Sequence, residues 1–247
     1  MPPIGWHMAT AREALRRVGH EPLEEEIGCY LLGATAPDMR VMTGQAREDT
    51  HFFRINAGHD QSGVAALFER HPEVLAAKGR PRAFIAGYLT HLTVDETWIA
   101  EVYQPYFGEG SQLPDRVEAN FMDRVLQFYM EQGARNDPEL LQRWYEHIFR
   151  ADPGEDLAFV DLPSLHRWRE VVIRIVSQDP TWEAFQAFIL RRFGPEGSAT
   201  QPALKDLCER IPEVLERTLN HVTPQRVAAY REAAIQRSVA ALKEYLA

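Results

Sequence analysis

Residues 82–103, RAFIAGYLTHLTVDETWIAEVY, constrain the fold more than any other stretch of this 247-residue chain. Pro81 sits where the first position of a helix would fall, and its fixed φ suits that place. No further proline occurs until Pro105, so the run can form one continuous helix. Phe84, Ile85, Tyr88, Leu89, Leu92, Val94, Trp98, Ile99 and Val102 cover most of its circumference. A helix that is apolar nearly all round is a buried one. His91 and Asp95 nevertheless lie inside it, four residues apart and therefore on one face. A buried carboxylate is costly unless it is paired, hydrogen-bonded or bound to a metal. The two residues are thus either a hydrogen-bonded pair or two ligands of one cation.

The remainder of the chain reads as all-α. Three-to-four spacing of apolar residues marks helices over residues 6–18, 22–33, 63–77, 114–131, 138–149, 162–177, 182–193, 202–219 and 225–246, and no period-two run is long enough for a sheet. Together with the central helix this predicts a single all-α domain of nine or ten helices. Residues 1–150 would carry the site, and 151–247 would be a helical scaffold or lid, with the weakest join at residues 152–161. Residues 39–62 lack periodicity, and a loop of that length is usually functional or disordered. It carries Asp49, His51 and the dipeptide His59-Asp60.

The net charge of −9 offers no basic face to a nucleic-acid backbone, so no duplex nucleic acid is expected as a partner. No apolar run reaches the length of a membrane span. No positive segment followed by an apolar one marks a leader, and the expected location is cytoplasmic. Cys29 and Cys208 fall in helical patterns and read as small core residues, not as a disulfide framework. No serine or cysteine has a triad context, and no glycine-rich phosphate loop occurs.

Five residues able to bind a hard or borderline cation in the first hundred positions, His7, Asp38, His51, His91 and Asp95, fall at structural junctions or on the buried helix. They occur in four tracts: Trp6-His7 opening the first helix, YLLGATAPD ending in Asp38, Asp49-Thr50-His51-Phe52, and GYLTHLTVD with His91 and Asp95. In order, residue type and approximate spacing, over residues 1 to about 105, these tracts resemble the zinc-dependent phospholipase C family, itself related to zinc nucleases that cut single strands. The resemblance implies an all-α bundle of the phospholipase C/nuclease type. It also implies that Asp38, His51, His91 and Asp95 bind one zinc, that Asp95 bridges to a second zinc that takes His7, and that Asp38 acts as base or water-orienter. The reaction implied is hydrolysis of a phosphodiester or phosphomonoester, with a small phosphoester or a phospholipid headgroup as substrate and one to three zinc ions as cofactor. Zinc acidifies bound water towards a pKa of about 7, which suits that chemistry.

The chain departs from the family in three places. A family tryptophan binds metal through its free amine, whereas Trp6 is preceded by a short tail. The family has a histidine shortly after the HxxxD aspartate, and here Glu101 stands near that place. A family HxxxE pair follows. Here His166 and Glu170 form one much further along, on a helix that buries Leu165, Trp168, Val172 and Ile175. That leaves His166 at the flank, so the pair reads as a surface i,i+4 contact, with a ligand role as the alternative. Asp49 is a further possible ligand. Two rival readings follow from the residues. One is a non-catalytic helical protein with a structural or vestigial metal site. The other is a nucleotide phosphohydrolase of the histidine–aspartate type built on His59-Asp60, with His51 and Asp95 in support.

Overall fold

The computed structural model describes residues 2–55, 62–155 and 157–247. Its α-helices are α1 (Ile4–Val18), α2 (Glu21–Glu25), α3 (Ile27–Gly33), α4 (Arg40–Thr43), α5 (Arg47–Thr50), α6 (Gly63–Arg70), α7 (Gly79–Trp98), α8 (Arg116–Ala134), α9 (Pro138–Phe149), α10 (Leu162–Val176), α11 (Trp182–Phe193), α12 (Gln201–Glu209), α13 (Ile211–His221) and α14 (Pro224–Leu246). Among the described residues there is no strand, only an isolated bridge between Leu157 and Val160. The all-α class is therefore the observed one.

Side chains cap several helix starts. Asp115, Asp137, Asp161, Thr181 and Thr223 each accept a backbone N–H two or three residues on. Such caps contribute about 1 kcal/mol each. The start of α1 is capped from elsewhere. Gly5 and Trp6 donate their N–H groups to the Glu131 carboxylate of α8, each at 3.2 Å. The Trp6 nitrogen, which the family resemblance would aim at a metal, is thus an amide held by a carboxylate.

The helix count exceeds the sequence expectation because several runs are broken. Residues 22–33 divide at Glu26, whose φ of −104° and ψ of 32° leave the helical region. Residues 202–219 divide at Arg210, because Pro212 in the first turn of α13 cannot continue a helix. Residues 63–77 end as an α-helix at Arg70 and continue as a 3₁₀ turn, Pro72–Ala76. The loop 39–62 contains α4 and α5. The central helix starts two residues before Pro81, which stands third and still needs no intrahelical donor. Beyond Trp98 it changes type and runs on as a π-helix, Ile99–Phe107, that accommodates Pro105. Gly108 closes it by donating to the Tyr103 carbonyl at 2.7 Å.

Two apolar cores meet along α7. Its first half, Ala83 to Leu92, packs into a core with α1, α3, α9 and α10. Val94 and Trp98 pack into a second core with α8, α11, α12 and α13. Helix α14 lies against both α1 and α7. His91 and Asp95 occupy the junction of the two cores. Trp6 and Trp98 flank the Tyr230 ring at 6.2 and 5.1 Å between centroids, so these tryptophans are core residues.

The crossing of α3 and α7 is close enough to exclude side chains. A Cβ on Gly87 would lie 1.8 Å from the Tyr30 carbonyl oxygen, and one on Gly33 would lie 2.0 Å from that of Phe84. This approach brings the carbonyl at the end of α3 onto the face of α7 that carries His91.

Candidate metal centre

The structure brings together His7 of α1, Asp38, His51, His91 and Asp95. Asp38 sits in the 3₁₀ turn Ala36–Met39, where Pro37 turns the chain after α3. His51 caps the C-terminus of the short α5. His7, His51, His91 and Asp95 are at most 1% exposed, whereas the Asp38 side chain is 21% exposed. The cluster is thus sealed except at Asp38.

Hydrogen bonds to the far nitrogens orient two of the imidazoles. His91 Nδ1 lies 2.9 Å from the Ala34 carbonyl. A carbonyl only accepts, so the proton is on Nδ1 and Nε2 faces inward. His51 Nδ1 lies 2.9 Å from Thr50 Oγ1, which donates to the Arg47 carbonyl. His51 Nδ1 therefore donates, and its Nε2 also faces inward. Metal-binding histidines are held this way, through the ring nitrogen that does not ligate.

The inward atoms of His51, His91 and Asp95 converge within ligand distance of one another, and Asp38 joins His7 and His91 in an adjoining group that shares His91. His51 Nε2 is 3.1 Å from Asp95 Oδ2, 3.3 Å from His91 Nε2 and 3.6 Å from Asp38 Oδ1. His91 Nε2 is 3.4 Å from Asp95 Oδ2. Four ligand atoms about 2.0–2.1 Å from a central ion at tetrahedral angles stand about 3.3–3.4 Å apart. Two imidazoles and two carboxylates also form a donor set that zinc accepts.

His7 completes the cluster from one side. Its ring stacks on His91 at 3.8 Å with an interplanar angle of 7°, and its Nε2 is 3.4 Å from Asp95 Oδ1. Neither ring nitrogen of His7, nor Asp95 Oδ1, makes a hydrogen bond among the described residues. Unsatisfied buried polar atoms cost about 1–3 kcal/mol each. A cation between Nε2 and Oδ1 would satisfy both, so the residues present fit the implied metal at this position too.

Electrostatics keep His7, Asp38 and Asp95 in their ligating forms, whereas His91 is shifted the other way. Burial pushes His7 down to about 4, assisted by His91 and opposed by Asp95 and Asp38, so it is neutral at pH 7. Burial would raise Asp95, but the surrounding imidazoles of His91, His51 and His7 outweigh this and hold it well below the usual carboxylate range. Asp38 is likewise raised by burial, and the neighbouring imidazoles of His51 and His91 outweigh this and lower it. Burial lowers His91, and Asp95 more than compensates, so the net shift is upward.

Sequence reasoning missed Arg47. Its Nη2 donates to Asp95 Oδ2 at 3.0 Å, its side chain is only 9% exposed, and its guanidinium carbon lies 4.9 Å from the Phe53 ring centroid. Arg47 stands four residues before His51, but nothing in that aperiodic loop marks the spacing as helical.

The supplementary ligand candidates lie elsewhere. Asp49 is exposed on α5. Glu101 is in the π-helix and pairs with Arg237 at 3.4 Å. His166 pairs with Asp152 at 3.6 Å, on the surface, and Glu170 is exposed. The expected i,i+4 surface contact is thus replaced by one between His166 and the chain before α10. The His59-Asp60 dipeptide lies outside the described residues. The chain matches no protein-family model, no curated protein and no solved structure.

Proposed function

We propose that this protein is a metal-dependent phosphoesterase, similar to the zinc-dependent phospholipases C, that hydrolyses a phosphodiester or phosphomonoester. The supporting observation is the convergence of His51, His91 and Asp95, whose ligand atoms lie 3.1–3.4 Å apart, with Asp38 3.6 Å from His51 and open to solvent. These four would hold one zinc, and His7 with Asp95 Oδ1 would contact a second. Bound zinc supplies Lewis acidity towards water and towards a phosphoryl oxygen.

The chain's own groups supply the rest. Asp38 is ionised at neutral pH and alone reaches solvent, so it orients an incoming water and can take its proton. Ala34 and Thr50 fix the imidazoles. The apolar walls of both cores exclude bulk water and strengthen every charge interaction inside. The substrate class is a small phosphoester or a phospholipid headgroup. The unpaired buried thiols Cys29 and Cys208 suit a reducing compartment, and we place the protein in the cytoplasm.

Zinc content by mass spectrometry and turnover of a chromogenic phosphodiester test this reading. The expected result is at least one zinc per chain, lost in His91→Ala. Asp38→Asn should abolish turnover while zinc remains. No tightly bound transition metal, or zinc content indifferent to His91→Ala, would refute it. The near-complete burial of the three imidazoles and Asp95 favours one rival, a structural metal site. That reading predicts bound zinc and a melting temperature lowered by chelation, with no turnover of any phosphoester.

A further inference from the structure

We infer that Arg47 is the anion-binding residue of this centre, and that the centre takes a phosphoryl group through that guanidinium. The inference rests on the metal-site reading above and adds the group that would hold the substrate's charge.

Three observations support it. First, the Arg47 side chain is more than nine-tenths buried against the cluster, yet only Nη2 has an acceptor. Nε and Nη1 are buried without a hydrogen-bond partner among the described residues. A guanidinium carries five N–H donors in a planar fork and cannot shed its charge. Unfilled donors on a buried guanidinium therefore call for an acceptor, and anionic oxygens satisfy that fork best.

Second, the charges do not balance without an anion. Asp38 and Asp95 together cancel at most one divalent ion, a second ion would add further positive charge, and ligating imidazoles are neutral. Arg47 pairs with Asp95 at 3.0 Å, and a cation on that carboxylate would leave the guanidinium charge under-compensated inside two apolar cores, where charge is expensive. A phosphodiester carries a single negative charge and neutralises it.

Third, the guanidinium is fixed in place. Phe53 stacks beneath it at 4.9 Å and also meets His51 edge-on at 6.1 Å between centroids. Nη2 is anchored on the carboxylate that faces the ion position. Arg47 is thus positioned to hold an anion beside the ion rather than to reach out to solvent.

Calorimetric titration of the zinc-loaded protein tests the inference, using inorganic phosphate in one arm and glycerophosphocholine in the other. Wild type should bind at least one of these. Arg47→Met should keep its zinc and weaken that binding at least tenfold, and Arg47→Lys should fall between. Tighter binding of inorganic phosphate identifies a free phosphoester as the source of the phosphoryl group, and tighter binding of glycerophosphocholine identifies a lipid headgroup. Unchanged binding by zinc-loaded Arg47→Met would overturn the inference. So would loss of zinc in both Arg47 variants, which would make the arginine a support for Asp95 alone. A wild-type protein that takes up no zinc would instead refute the metal-site reading on which the inference rests.

Discussion

His91–Asp95 in α7 and His166–Glu170 in α10 share a four-residue spacing and differ in everything else. The α7 pair is fully buried and meets His7, His51 and Arg47. In the α10 pair, His166 reaches Asp152 at the surface and Glu170 faces solvent. The difference lies in the helices. Helix α7 is apolar around its circumference and has no solvent side to which a polar residue can turn. Helix α10 buries one face, with Leu165, Trp168 and Val172, and exposes the other. Spacing puts two side chains on one face, and the surroundings of that face decide whether they must find an ion or can be left to water.

The first way to break this comparison is to remove one carboxylate from each pair. Asp95→Ala leaves Arg47 unpaired in the interior and should cost about 3–5 kcal/mol in urea unfolding. Glu170→Ala should stay within about 0.5 kcal/mol of wild type. Equal effects would mean that burial does not separate the two pairs.

Metal removal should separate them next. With free zinc at one hundred times its dissociation constant, chelation should cost about 2.7 kcal/mol of stability, read as a fall in melting temperature. That fall should persist in His166→Ala and vanish in His91→Ala.

The helix crossing offers a third test. Gly87→Ala would push a methyl group into the Tyr30 carbonyl. It should destabilise the fold by about 1–3 kcal/mol and weaken zinc binding about 10–100-fold by shifting the Ala34 carbonyl that orients His91. A Cβ on Gly133 of α8 meets nothing within 4 Å, and Gly133→Ala should leave zinc binding alone. The smallest effect is expected for His166→Ala, which removes an exposed pair worth at most about 1 kcal/mol and leaves zinc content unchanged.

The parts of the molecule legible in the sequence follow from strong local signals. The all-round apolar pattern of α7 marks a buried helix with a buried carboxylate inside it. Pro37 fixes a turn directly before Asp38. The three-to-four apolar spacing marks α8, α9 and α10 close to their observed bounds. Arg47 was not legible, because it sits on a four-residue helix in an aperiodic loop and its partner is 48 residues away. An arginine in such a loop reads as solvated, and only tertiary packing buries it. The break at Glu26 was hidden for a related reason, since glutamate is a good helix former and the bend shows only in the backbone angles. The passage of the central helix through Pro105 depends on the wider π turn, which apolar periodicity does not signal.

Diffraction from zinc-soaked crystals, recorded on both sides of the zinc absorption edge, tests the central claim most directly. The account predicts an anomalous peak about 2.0–2.1 Å from Asp38 Oδ1, His51 Nε2, His91 Nε2 and Asp95 Oδ2. No peak within this cluster, or zinc held instead by His166 and Glu170, would contradict it.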